Sequence, residues 1–114
     1  MAFTELYQGS ASISTTEYSL TNGSTTIATV TTDAVLSVWL DLNAMAAGDE
    51  YELVLREKVT SGGTQRTLVL GTFWGTQSEF YISGPFQVLH GWDVTLRKRA
   101  GTDRTIGWSL RGVT

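Results

Sequence analysis

The chain has 114 residues, 41% of them hydrophobic and only 17% charged, with a net charge of −3. That length suits one domain, and that composition supports a packed core rather than a disordered chain. The absence of cysteine excludes a disulfide framework and a thiolate metal site, and an isoelectric point near 4.9 argues against nucleic acid as the partner.

The first element is a short strand at residues 4–8. Because Gly9-Ser10 follows it, residues 1–10 read either as an N-terminal arm that leaves the body or as the first strand of the domain's own sheet. As an arm, it would offer Phe3, Leu6 and Tyr7 to the open sheet edge of a neighbour. The start Met1-Ala2-Phe3-Thr4-Glu5 has neither a basic region nor an apolar run, so it does not read as a secretory leader. No stretch is long and apolar enough for a membrane span, so no membrane partner is expected, and folding in a cytoplasm is.

Strands are predicted at 12–20 and 25–31, around Asn22-Gly23, a dipeptide suited to a tight hairpin turn. In 34–42, Leu36, Val38, Leu40 and Leu42 share one phase, while Ser37, Trp39 and Asp41 share the other. In Asn43–Gly48 the Asn can cap a helix start and the Gly can end one, so a single helical turn is expected there. In 50–59, Tyr51, Leu53, Leu55 and Val59 oppose Glu52, Arg56 and Lys58. Ser61-Gly62-Gly63-Thr64 then turns the chain into a strand at 65–74. Two short strands, 79–82 and 86–89, are split by Gly84-Pro85. The last pair, 92–99 and 104–112, is joined at Ala100–Asp103, with Trp92, Val94, Leu96, Ile106, Trp108 and Leu110 in the inward phase.

Alternation with period two means one buried face per strand. Many short strands without a long helix predict an all-β domain over residues 1–114. The expected architecture is a two-sheet antiparallel sandwich, first a jelly roll and otherwise a related Greek key. Leu36, Val38, Leu40, Leu53, Leu55, Val94, Leu96, Ile106 and Leu110 should be buried.

Chemistry is scarce. His90 is the single histidine, sits at a turn, and has no nucleophile elbow beside it, so no catalytic residue is assigned and no enzyme is expected. One imidazole cannot build a zinc cage, and the acids Asp49, Glu50 and Glu52 lack the spacing of a calcium loop; Asp49 and Glu50 read as solvating a strand start. No cofactor is expected. Residues 1–55 carry seven acids and no Lys or Arg, whereas residues 56–114 carry eight bases and four acids, so the halves are −7 and +4. This asymmetry means either pairing inside one domain or acidic-to-basic contact between copies. Arg97-Lys98-Arg99, with Arg104 and Arg111, reads as a solvated hairpin end, with a phosphate ridge as the sharper reading. Trp39 lies in the polar phase of its strand, and Trp74, Phe80 and Tyr81 flank the loop Gly75-Thr76-Gln77-Ser78. Exposed aromatics of this kind serve protein interfaces and sugars alike.

The run Val38-Trp39-Leu40-Asp41-Leu42-Asn43-Ala44-Met45-Ala46-Ala47-Gly48-Asp49-Glu50-Tyr51-Glu52-Leu53, the run Val94–Arg104 and the pair Trp108-Ser109 resemble segments of small phage and prophage virion proteins. The resemblance spans about residues 34–112 and carries no catalytic signature. It implies a jelly-roll capsid decoration or cement protein on the head surface, made in the host cytoplasm. The major capsid protein and further copies of itself, as a trimer, would be its partners. The expected interface joins Phe3, Leu6 and Tyr7 with Trp74, Phe80 and Tyr81. A tail, baseplate or fibre component and a carbohydrate-binding module are the rival readings.

Overall fold

Most of the alternating runs become strands whose apolar phase turns inward. A computed structural model of the chain, describing residues 2–113, contains β1 (Thr4–Ile13), β2 (Tyr18–Ser19), β3 (Ala34–Asp41), β4 (Glu50–Lys58), β5 (Gln65–Trp74), β6 (Tyr81–Ile82), β7 (Phe86–Val88), β8 (Asp93–Ala100) and β9 (Arg104–Val113). One sheet, here sheet A, runs β1-β9-β3, with β6 and β7 lying end to end along the far side of β3. Sheet B runs β2-β8-β4-β5, and every pairing is antiparallel. If β6 and β7 count as one interrupted strand, the pairs are β1·β9, β2·β8, β3·β6/β7 and β4·β5. First pairs with last, second with next to last, and successive pairs fall in alternate sheets. That nested pairing is the jelly roll.

The core lies between the sheets. Leu36, Val38 and Leu40 of β3, Ile106, Trp108 and Leu110 of β9, Tyr51 and Leu53 of β4, and Val94 and Leu96 of β8 are all buried. Each such aliphatic side chain removed from water contributes about 1.5–3 kcal/mol, which the ordering of the chain largely offsets. The two inward tryptophans bury their rings without stranding their N–H groups. Trp92 donates to the Thr32 carbonyl at 2.9 Å and Trp108 to the Leu20 carbonyl at 3.1 Å. Leu55 departs from expectation and is only half-buried, packed against the core rather than within it.

Four further expectations are corrected. Residues 4–10 are not an arm: they begin β1, paired to β9 from Thr4↔Gly112 to Ile13↔Arg104, with Leu6 and Tyr7 packed on the core. The strand expected at 12–20 breaks after Ile13 and resumes only for Tyr18–Ser19. Residues 25–31 form no strand beyond the single bridge Val30↔Trp92. Asp93 takes over the Ala28 N–H at 2.9 Å, Asn22 donates to the Thr26 carbonyl and Gln65 to the Ala28 carbonyl. Side chains thus satisfy backbone groups that a ladder would otherwise hold. Residues 43–48 form two successive turns, closed by Met45 N–H to Leu42 O and Asp49 N–H to Ala46 O, rather than a helical turn.

Part of the charge asymmetry is paired inside the domain. Glu17 pairs with Arg56 and Arg97, Glu52 with Arg97 and Arg99, and Asp49 with Arg104. The Arg56 hydrogen bond is the main force holding the Glu17 carboxyl below its ordinary range, against the opposing effect of burial. Antiparallel pairing places late strands beside early ones, so three acids of the first half meet arginines of the second within one fold.

Candidate functional site

In a sandwich, the outer face of an antiparallel sheet is ordinarily polar. Sheet A departs from this. The outward phase of β3 holds Val35, Ser37, Trp39 and Asp41, and Ile82 pairs directly with Trp39. The Trp39 ring carries the Arg111 guanidinium 3.9 Å from its centroid. Phe80 stacks on the same indole, with centroids 5.6 Å apart and planes 9° from parallel. At that separation the parallel rings are offset rather than face to face. Arg111 Nε also donates to Ser109 Oγ, which in turn donates to Glu5, so the guanidinium is fixed from two sides.

Beside this stack lies a trough of ≈ 410 Å³. Its floor is the backbone around Gly9 and Gly107, its wall is Trp39 with Phe80, and Asp41, Ser109 and Arg111 line its rim. The Asp41 Oδ1 accepts the Asn43 N–H at 3.1 Å, which orients the carboxylate at one end.

The side chains expected to share an interface do not come together. β1 and β6 are opposite edges of sheet A, so Leu6 and Tyr7 lie three strand spacings, on the order of 14 Å, from Tyr81. Phe3 precedes β1 and is 77% exposed. Trp74, at the end of β5, is exposed, and its carbonyl accepts from Gln77 Nε2. Tyr81 is half-buried and meets Phe73 edge to face at 4.7 Å, so it closes the core. Phe80 alone of the six lines the trough. Sequence phase singles out Trp39, but Gly107, Ser109 and Arg111 reach the site through β9 pairing, which no local pattern reveals.

The other polar constellations are structural. Asp49, expected to solvate a strand start, is instead 3% exposed. Its carboxylate accepts from Ala46 N–H at 2.9 Å, Thr102 N–H at 3.0 Å and Arg104 Nε at 2.7 Å. Led by the Thr102 N–H, these donors lower its pKa to about 2. Gly101, at φ +90°, is the residue this arrangement demands, since an added Cβ would collide with Asp49. The members of Arg97-Lys98-Arg99 are engaged by Glu17, Glu52 and Asp103, which leaves the phosphate ridge without support. His90 is half-buried at the turn before β8, and its carbonyl accepts the Lys58 N–H.

No family model matches the chain, and no curated protein matches it. Among solved structures, the chain is similar to a Clostridium thermocellum endo-1,4-β-D-xylanase, in its CBM22-1 and GH10 modules complexed with xylohexaose. The identity is 9% and the TM-score 0.49, over 97% of this chain and 28% of that one. At that level the likeness says nothing about function, and the fold assignment rests on the strand pairing above.

Proposed function

We propose that this protein is a non-enzymatic structural component of a phage particle, a decoration protein that docks on the capsid shell. The observation that carries this reading is the far half of the β4–β5 hairpin. Val59, Leu68 and Val69 are exposed there, Val59 to 86%. Leu68 and Val69 are adjacent on one strand, so they present apolar surface to both faces of the ribbon. β5 is ten residues long and ends sheet B, so its outer edge offers unpaired backbone groups as well. An apolar ribbon with an open edge suits strand addition to a partner. The resemblance of residues 34–112 to virion proteins supports a capsid shell as that partner.

The test is occupancy on undecorated shells of a phage that carries this protein, measured by co-sedimentation. The parent should bind, and a Leu68→Ser, Val69→Ser double variant should bind about tenfold more weakly or worse while its unfolding temperature stays close to the parent's. A parent that ignores shells, or a folded double variant that occupies them equally, would remove the proposal.

A further inference from the structure

Gly107 sits in the middle of β9, yet nothing in the fold calls for glycine there. Its φ is not in the positive region. An added Cβ would meet only ordinary contacts, 3.7 Å to Asp41 Cβ, 3.8 Å to the Gly9 carbonyl and 4.0 Å to Ser10 Cβ. The neighbouring strand glycines differ. A Cβ on Gly9 would come within 2.8 Å of the Trp108 ring, and one on Gly112 would collide with the Val35 carbonyl. Glycine inside a strand weakens it, and it often marks a place where something else approaches closely. At Gly107 the missing side chain opens the trough beside Trp39.

We infer that this trough is a binding site for a neutral oligosaccharide. A sugar ring has an apolar C–H face and a rim of hydroxyls, and it needs an aromatic wall together with hydrogen-bond acceptors and donors. The trough supplies both kinds of surface. The Trp39–Phe80 stack, with Phe80 63% exposed, forms the wall. The Asp41 carboxylate at one end accepts from hydroxyls. One carboxylate, Asp41, and one guanidinium, Arg111, line the trough, so the site favours neither an anion nor a cation. The guanidinium is already held by Trp39 and Ser109, which leaves it poorly placed to claim an anionic group. A volume of ≈ 410 Å³ lies within the usual range for small-ligand sites. The inference does not depend on capsid docking, since the β4–β5 hairpin belongs to the other sheet.

The probes are hexasaccharides of β-1,4-glucose, α-1,4-glucose, mannose, xylose and N-acetylglucosamine, with hexagalacturonate as the anionic comparison. Calorimetric titration and tryptophan emission report binding to the intact protein. At least one neutral probe should bind with a Kd of about 1 mM or tighter and shift the emission. Gly107→Val fills the trough at a position that accepts a Cβ, and Trp39→Ala removes the wall. Each should weaken that binding by about tenfold or more with the fold retained. If Gly107→Val does not fold, the outer-face variant Trp39→Ala decides. The inference is overturned if no neutral probe binds, if hexagalacturonate alone binds, or if the folded variants bind as the parent does. It is also overturned if they lose shell occupancy while sugar binding is unchanged, which would make the trough a protein contact.

Discussion

Tyr51→Phe should open one end of the sandwich while leaving the core filled. The Tyr51 ring is fully buried, and Phe keeps that apolar contact. What disappears is one oxygen with two jobs. It accepts the Arg104 N–H at 2.7 Å, and its own proton goes to the Thr102 carbonyl at 2.9 Å, with the Ile13 carbonyl farther off at 3.3 Å. This hydroxyl thus ties β4 to the β8–β9 turn. Thr102 is exposed, so its carbonyl regains water, whereas Arg104 is half-buried and its N–H is left wanting an acceptor. One orphaned group of this kind costs about 1–3 kcal/mol, and we expect ~2 kcal/mol here. At this chain length that lowers the unfolding temperature by ~8 °C. Circular dichroism at neutral pH measures the shift, and amide exchange should show the Arg104 N–H losing protection. The alkaline limb adds a sign. Burial raises the Tyr51 pKa above its ordinary 10.0, so the folded state holds this proton more tightly than the unfolded one. The associated stability is complete below that value and is lost as pH rises through the folded pKa. The phenylalanine variant has no such proton, so the gap between the two proteins should narrow at alkaline pH. A loss under about 2 °C, or a gap that stays constant through about pH 11, would refute the role given to this hydroxyl.

Asp49→Asn probes the acid limb. The carboxyl falls from 3.8 to about 2 on folding, so its stabilisation is complete above the unfolded value and disappears as pH drops through the folded one. The parent should therefore melt well above the variant at neutral pH and lose that lead on approaching pH ~2; an unchanged lead in acid would contradict the three-donor cage. Deleting residues 1–8 should unfold the domain or strip much of its cooperativity, because half of β1 and its Leu6 and Tyr7 contacts go with it, while deleting residues 1–3 should leave the melting curve alone. Equal curves for the two truncations would show that β1 is dispensable. His90→Ala should change stability by no more than about 0.5 kcal/mol and leave shell binding intact, as the hydrogen bond from Lys58 goes to the backbone carbonyl; a folded but inactive variant would reopen a role for the imidazole.

Individual strands were legible because their signal is local. The phases of β3, β4, β8 and β9 place the expected inward residues in the core apart from Leu55, but they miss Val54, Asp93, Thr95 and Ser109, which lie in the opposite phase and are buried as well. Segments whose backbone is satisfied by distant side chains were not legible. Residues 25–31 look like a strand until Asp93, far along the chain, takes the Ala28 N–H. Residues 4–10 look equally like an arm or a strand, because only the presence of β9 beside them settles which hydrogen bonds they make.

The same division holds for the candidate site. Trp39 standing out of phase and Phe80 following an exposed loop are properties of the sequence, and they sufficed to point to exposed aromatic surface. The trough is a property of register. β3 and β9 align Trp39 with Ser109 and Asp41 with Gly107, and Phe80 reaches them from beyond β6. Composition and periodicity thus determined an all-β sandwich with surplus aromatics. Tertiary pairing decided the jelly-roll order, the ion pairs between the two halves and the site's membership, because these depend on contacts between residues far apart in the chain, which no local pattern encodes.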